Sequence, residues 1–218
     1  PYYIPVIMYL ILFAPFGVTF WNFAFIFTPL MGALAVLVMY FIGTELFNDK
    51  KAGLFSAFFL STIAGFMSRT AAGFYDKEGI GAPFMLLGVY FFIKAYKTNS
   101  WKHGILGGIS MGVLAVTWGG SDYMRLFFAL TVFIFILLNK YSDGLLKGYA
   151  PIAVLSVLFP LVTERSIDIA QTSVIVPLGV LGLVLLRFFA VKYKIIKKDQ
   201  EPYLILGILV LSVVGLLI

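Results

Sequence analysis

The 218-residue chain contains no cysteine and little charge. Without cysteine it can form no disulfide, no zinc–thiolate site and no cysteine nucleophile. Charged residues make up 12% of the chain and hydrophobic residues 61%, whereas a soluble domain is about a quarter charged. A soluble protein of this length needs a polar surface that this composition cannot supply. The composition therefore predicts a polytopic membrane protein.

The apolar residues form runs long enough to cross a bilayer, which takes roughly 17 or more residues per helix. These runs predict an all-α fold, a polytopic transmembrane helical bundle, with eight spans at 28–46, 52–68, 80–96, 104–118, 124–139, 149–163, 171–191 and 202–218. An earlier apolar segment, residues 1–27, is interrupted by Pro15 and Gly17. We expect this segment to lie at the membrane interface or re-enter the bilayer, with a ninth span as the alternative.

The loops between the predicted spans differ in charge. Loops on one side of the bundle carry eleven lysines, and those on the other side carry four basic residues, Arg69, Lys77, Arg125 and Arg165. The positive-inside bias places the lysine loops in the cytoplasm and the Arg69 side outside the cell or in the lumen of an organelle. Although the net charge is +6, its dispersal over short loops predicts no nucleic-acid partner. The only histidine, His103, is predicted to be an ordinary polar residue of a lysine loop.

One short stretch, SRTAAGFYDKEGIGAP at residues 68–83, concentrates charge between two apolar runs. Gly73 and Gly79 predict that the backbone leaves the helical conformation there. Pro83 predicts the first turn of the next helix. The stretch is therefore expected to be a loop at the membrane surface.

Asp76 and Glu78 stand two positions apart in this stretch. In a continuous helix their side chains would diverge by about 200°, but in an extended backbone both carboxylates can reach one cation. Oxygen ligands suit Mg²⁺ or Mn²⁺, and further ligands must come from elsewhere. Arg69 can bind two phosphate oxygens, and Lys77 adds a second cation, so the stretch suits a lipid-linked phosphate or pyrophosphate. The open alternative is a set of solvated charges, with Arg69 anchoring a helix end.

The segment SRTAAGFYDKEGIGAPFMLLGVYFFIKAYKTNS closely resembles the second acidic motif and following helix of the catalytic subunit of oligosaccharyltransferases. These are membrane enzymes of the GT-C fold that N-glycosylate proteins. The resemblance continues through ELFNDKKAGLFSAFF before the motif and WGGSDY after it. It covers nearly the whole chain, and the S-R-x-x-A-G-x-x-D-x-E block is its specific part. The sequence is most similar to the archaeal and eukaryotic branches of the family, and of these we favour the archaeal branch. We therefore expect an archaeal cell membrane as the location, with the endoplasmic reticulum as the alternative.

The resemblance implies transfer of a glycan from a dolichol-type phosphate or pyrophosphate carrier to the asparagine of an Asn-x-Ser/Thr sequon. It implies that Asp76 and Glu78 are the catalytic and metal-binding acids, with Mn²⁺ or Mg²⁺ as the cofactor. It further implies that Arg69 contacts the phosphates of the carrier, and Lys77 occupies a variable position where a basic residue can also face phosphate. The expected partners are a lipid-linked oligosaccharide, an acceptor polypeptide and the bilayer.

By the same resemblance this chain is a fragment of the transmembrane region. Residues 1–27 correspond to the end of the first external loop and 28–218 to the helical domain. A first acidic motif, a later glutamate-bearing loop and a soluble C-terminal domain are expected outside it, and the fragment is predicted to be inactive alone.

A second external stretch, TWGGSDYMR, contains Trp118, Asp122 and Arg125. Trp118 is predicted to be an aromatic belt residue at a tight turn or, alternatively, to line the path of the donor lipid. Asp122 and Arg125, three residues apart, are expected to pair with each other. A third external loop, with Glu164, Arg165 and Asp168, is predicted to be a solvated turn.

Two other functions are compatible with parts of the pattern. A different GT-C enzyme would use a lipid monophosphate sugar, but its acidic motif usually lies in the first external loop. An ion-coupled transporter would carry its acids near the bilayer midplane on broken helices, rather than in an external loop.

Overall fold

A computed structural model describes residues 3–138, 140–162 and 171–193. These residues are almost entirely helical, as predicted. The helices are α1 (Tyr3–Leu12), α2 (Phe20–Phe47), α3 (Lys50–Thr62), α4 (Ala64–Arg69), α5 (Lys77–Thr98), α6 (Trp101–Thr117), α7 (Ser121–Leu137), α8 (Asp143–Val162) and α9 (Thr172–Lys192), with a 3₁₀ turn at Ala14–Phe16. The predicted span 202–218 and the loop with Glu164, Arg165 and Asp168 lie outside the described residues.

The N-terminal segment is broken where its sequence predicts. After α1 the chain makes the 3₁₀ turn that contains Pro15 and ends at Gly17, whose φ of 72° lies in the left-handed region. Thr19 then caps α2, because its hydroxyl oxygen accepts a hydrogen bond from the backbone N–H of Asn22 at 3.3 Å. Helix α2 consequently begins at Phe20, eight residues before the predicted start of the span, and residues 20–27 belong to the same helix as residues 28–47.

The predicted span 52–68 is not one helix. Its backbone becomes extended at Ile63, which separates α3 from α4. The side-chain hydroxyls of Ser61 and Thr62 both donate to the backbone carbonyl of Phe58. Such bonds compete with the helical ladder and bend or end helices. No proline at or next to Ile63 indicates this break in the sequence.

The centre of the bundle is formed by α5, α6 and α8, with α2 against α5 and α3 against α2. Helices α6 and α8 approach so closely that a Cβ atom on Gly104 would lie 1.8 Å from the carbonyl oxygen of Lys147. One on Gly108 would lie 2.6 Å from the carbonyl oxygen of Pro151. The largest core cluster packs around the fully buried Tyr149. Helix α7 lies mainly against α9, at one side of this core.

Successive helices from α5 to α9 alternate in direction, so their connections alternate between the two ends of the bundle. The start of α5, the α6–α7 turn and the start of α9 share one end. The opposite end carries Lys97, which pairs with Glu45, and Lys147, which donates to the backbone carbonyl of Asn99 at 3.2 Å. The described part of the chain thus places the lysine-rich loops together and the Asp76 loop at the opposite end.

Four of the described helices, α2, α5, α8 and α9, are long and apolar enough to cross a membrane. Helices α6 and α7 have 17 residues each, which is at the short end of the spanning range. The described helices reproduce the position of the predicted span closely for α9, whereas α2 and all helices from α5 to α8 start earlier than predicted.

Candidate functional site

The predicted functional residues lie where two helices meet at one end of the bundle. Arg69 is the last residue of α4, and Asp76 is the residue that caps α5. Between them, Gly73 adopts a left-handed φ of 81°, as its prediction as a helix breaker requires. Asp76 is extended, with φ −132° and ψ 158°, and its Oδ1 accepts a hydrogen bond from the backbone N–H of Lys77 at 2.7 Å. Gly73 thus allows the chain to turn after α4, and the carboxylate of Asp76 caps the start of α5.

Both acids of the motif converge on the same guanidinium. Nη1 of Arg69 lies 3.0 Å from Oε2 of Glu78 and 4.0 Å from Oδ2 of Asp76. The expected arrangement, in which the two carboxylates can face one positive centre, is therefore present in the described geometry. The reason differs in part from the expectation, because Glu78 lies in the first turn of α5 and only Asp76 is extended.

These three side chains are partly open to the surroundings. The exposed fractions are 52% for the side chain of Arg69, 39% for Asp76 and 32% for Glu78. The guanidinium carbon of Arg69 also lies 5.4 Å from the centroid of the Phe74 ring. Ion pairs this exposed typically stabilise a fold by at most about 1 kcal/mol. The cluster is therefore accessible to ligands and can rearrange at little cost.

Helix α2 contacts the loop between α4 and α5 and holds it in position. The backbone N–H of Gly73 donates to the carbonyl of Phe25 at 3.2 Å. A Cβ atom on Gly32 would lie 2.7 Å from Cβ of Thr70, so these two residues are in direct contact. The sequence reasoning missed this role of α2, because the only signal for it is a glycine within a long apolar run.

Two predictions about the start of α5 are wrong. Gly79 is helical and buried, and a Cβ atom there would lie 2.6 Å from Cγ2 of Thr28 and 3.1 Å from the carbonyl oxygen of Arg69. Position 79 therefore requires glycine because of close packing and not because the helix breaks there. Pro83 lies inside α5 and not in its first turn, because the helix already begins at Lys77.

The donor set fits a hard divalent cation in part. Asp76 and Glu78 supply carboxylate oxygens that face one positive charge, which is the chemistry that Mg²⁺ and Mn²⁺ prefer. Within residues 3–138, 140–162 and 171–193, no third aspartate, glutamate or histidine joins them in a group. Two carboxylates leave most of the coordination shell to other ligands.

Trp118 packs against the N-terminal part of α5. It ends α6, and its ring atom Cε3 would lie 3.0 Å from a Cβ atom on Gly81. Gly81 follows Glu78 by three residues, so the two share a face of α5. The indole therefore packs against the same side of α5 on which Glu78 stands.

The other predicted polar residues have structural contacts. Arg125 pairs with Asp122, as expected, and donates to the carbonyl oxygen of Ser156 at 3.0 Å while only 3% exposed. His103 was expected in a loop but lies in the first turn of α6, 3.0 Å from the hydroxyl oxygen of Thr98.

Arg187, which the sequence reasoning passed over, is a buried cation of α9. It is 5% exposed, and its guanidinium carbon lies 3.8 Å from the ring centroid of Tyr141. Both residues lie toward the lysine-rich end, so they do not belong to the Asp76–Glu78 cluster.

Comparison with known proteins shows the family to which the chain belongs. The sequence profile of the family described as "Oligosaccharyl transferase STT3, N-terminal" matches residues 1–217. The chain belongs to this family. Subunit STT3 of the dolichyl-diphosphooligosaccharide–protein glycosyltransferase from Saccharomyces cerevisiae is 31% identical over 204 residues, which are 89% of this chain and 28% of the yeast protein. The corresponding Schizosaccharomyces pombe subunit is 26% identical over 192 residues, 86% of this chain and 25% of that protein.

Solved structures have the same fold as this STT3-family chain. The oligosaccharyltransferase of Archaeoglobus fulgidus in complex with Zn and sulfate superposes with a TM-score of 0.73 and 17% identity, over 99% of this chain and 30% of that protein. The archaeal oligosaccharyltransferase AglB from the same organism, in complex with an inhibitory peptide and a dolichol-phosphate, gives 0.76 and 18%, over 99% and 28%. Family and helices together identify an integral membrane protein. The chain spans about a quarter to a third of the length of these relatives.

Proposed function

We propose that this chain contributes the carrier-phosphate and metal site of an oligosaccharyltransferase, a glycosyltransferase that moves a glycan from a dolichol-type phosphate or pyrophosphate to asparagine in Asn-x-Ser/Thr sequons. The observation that carries the proposal is the convergence of Arg69, Asp76 and Glu78 at one end of the bundle in a chain that matches the STT3 profile along its length. The lipid-linked oligosaccharide is the donor, and a polypeptide with a sequon is the acceptor.

The chemical difficulty is the acceptor. An amide nitrogen is a poor nucleophile because its lone pair is conjugated with the carbonyl group. Carboxylates that engage the amide, and cationic groups that stabilise the departing phosphate oxygen, both act most strongly in the transition state. Asp76 and Glu78 take the first role, and Arg69 takes the second.

Asp76 and Glu78 would also hold Mn²⁺ or Mg²⁺, with further ligands from other parts of the full-length protein. Such a cation, when bound, supplies Lewis-acid stabilisation of negative charge. Arg69 binds phosphate oxygens through its planar guanidinium. Lys77 stands beside the acids and adds positive charge for the same phosphates.

Trp118 is proposed to line the path of the donor. Its indole packs against Gly81 on the side of α5 that carries Glu78, and tryptophan suits the boundary between acyl chains and headgroups. A lipid carrier whose phosphate reaches Arg69 must cross this boundary nearby.

We place the Asp76 loop on the external or lumenal side. The support is the grouping of the described lysines at the opposite end of the bundle, together with the positive-inside bias. An archaeal cell membrane is the proposed location, and the endoplasmic reticulum is the alternative. An ion-coupled transporter is less compatible, since the acids lie at the end of the bundle and not within it.

The proposal is tested by glycan transfer to a sequon peptide with the purified full-length protein. We expect Asp76→Asn, Glu78→Gln and Arg69→Gln each to lower kcat/KM by at least about 100-fold, the scale of losing one transition-state interaction. Glu45→Gln is the matched control, because it removes an ion-paired carboxylate at the opposite end of the bundle. Normal transfer by all three site variants would refute the site assignment.

A further inference from the structure

The Arg69 guanidinium lies where a cation shared by the two acids would have to lie. A single nitrogen atom, Nη1, is 3.0 Å from Glu78 and 4.0 Å from Asp76. The carboxylate oxygens that face this nitrogen, Oδ2 of Asp76 and Oε2 of Glu78, are the ones that a cation held between the two acids would contact. Two positive centres cannot both occupy the space between the carboxylates, because they repel each other and use the same lone pairs.

We propose that Arg69 and the divalent cation compete for Asp76 and Glu78, so that metal binding releases the guanidinium toward the carrier phosphate. This inference rests on the proposed function, because it assumes that the acids bind a metal. It adds an order of events, in which the cation binds first and Arg69 becomes available second. By linkage, bound phosphate that holds Arg69 away from the acids raises their affinity for the metal by the same factor.

The geometry makes such an exchange feasible. The ion pairs are a third to a half exposed, so solvent screening leaves them weak enough for a doubly charged ion to displace. The released guanidinium stays close to the site, because it also contacts the face of Phe74 at 5.4 Å. An arginine over an aromatic ring keeps a favourable cation–π contact when its ion pair opens.

Lys77 provides a matched comparison for the effect of charge alone. It stands between the two acids, but within the described ranges its ammonium group forms no ion pair with either of them. Only its backbone N–H contacts Asp76. Removing the Lys77 charge therefore changes the local potential without opening the carboxylates.

The test is a Mn²⁺ titration of the purified full-length protein without donor or acceptor, in which electron paramagnetic resonance measures the free and bound Mn²⁺. If Arg69 occupies the site, its removal raises the fraction of open sites, and Arg69→Gln tightens Mn²⁺ binding by about three- to tenfold. Lys77→Gln changes the affinity by at most about twofold, as expected for a screened charge. Equal effects of the two variants, or weaker binding by Arg69→Gln, would overturn the competition.

A second measurement follows Arg69 directly. Phenylglyoxal modifies free guanidinium groups, and mass spectrometry of the peptide that contains Arg69 gives its modification rate. We expect saturating Mn²⁺ to accelerate this modification in the wild-type protein but not in Asp76→Asn/Glu78→Gln. Unchanged or slower modification with Mn²⁺ would contradict the release of Arg69.

If neither wild type nor Arg69→Gln binds Mn²⁺, the metal assignment of the proposed function fails and the competition fails with it. If wild type binds Mn²⁺ and the double variant does not, the metal assignment holds, and tighter binding by Arg69→Gln then supports the competition while unchanged or weaker binding overturns it.

Discussion

Replacing Gly79 with alanine tests whether the contact between α2 and α5 holds the acidic cluster together. The new methyl group would lie 2.6 Å from Cγ2 of Thr28 and 3.1 Å from the carbonyl oxygen of Arg69. Forcing a methyl group into such a packed contact typically costs about 1–3 kcal/mol. The higher helix propensity of alanine returns about 1 kcal/mol. We therefore expect a loss of up to about 2 kcal/mol in the free energy of unfolding.

The functional effect of Gly79→Ala should exceed this loss of stability. Gly79 follows Glu78 directly, and the methyl group meets the backbone of Arg69, so relief of the clash moves α5 away from the guanidinium. A displacement of about 1 Å at a reacting centre can cost about 100-fold in rate. The assays are thermal unfolding in detergent and glycan transfer by the full-length protein at a temperature well below the unfolding transition.

Two further variants make the Gly79 test decisive. Thr28→Ser removes the methyl group that would clash, so Gly79→Ala/Thr28→Ser should recover stability and transfer, with a favourable coupling of about 0.5–3 kcal/mol. Gly65→Ala is the control, because a Cβ atom there meets nothing within 4 Å, and its transfer should be unchanged. If Gly79→Ala behaved like Gly65→Ala, or if Thr28→Ser gave no recovery, the contact would not position the cluster.

Three other predictions concern the rest of the bundle. Gly108→Ala should destabilise the fold by about 2 kcal/mol or more in thermal unfolding, because the methyl group meets a backbone carbonyl that cannot move aside. Gly182→Ala is the control, because its methyl group faces open space and should not destabilise the fold. Equal unfolding temperatures of the two variants would contradict the close approach of α6 and α8. Arg125→Met should cost about 1–3 kcal/mol, because a buried carbonyl loses its charged donor, and an unchanged unfolding temperature would refute this role. Trp118→Ala should raise the KM for the lipid donor by roughly tenfold, the scale of losing a buried aromatic contact, while Trp101→Ala at the opposite end should not; an unchanged KM would remove Trp118 from the donor path.

The sequence was sufficient to predict the membrane class and the position of the candidate site. Low charge and long apolar runs determine that the helices must share a bilayer, because unpaired backbone groups cannot remain in hydrocarbon. Alternation of lysine-rich and lysine-poor loops separates the two ends. Asp76 and Glu78 could be placed near one cation because Gly73 and Gly79 predicted a non-helical backbone around both acids, although α5 in fact begins at Lys77, between them.

Element boundaries were less predictable, for identifiable reasons. The break at Ile63 depends on hydroxyl groups that bond back to carbonyls of the preceding turn, which composition does not reveal. The early start of α5 depends on the Asp76 side chain capping the helix at Lys77. A window of apolar residues detects the hydrocarbon-spanning part of a helix and not its polar first turn, so predicted spans begin late.

The residue types of the STT3-family chain thus determined by themselves that it is a helical membrane protein with an acidic pair and an arginine at one surface. Only the tertiary structure decided that Arg69 reaches both acids at once, that α2 supports the loop through Gly32, and that Thr28 of α2 packs against Gly79 of α5. The physical reason is that charge and hydropathy are properties of single residues. The meeting of Arg69 and Glu78, in contrast, depends on how closely α2, which is distant in the chain, packs against the loop and against α5.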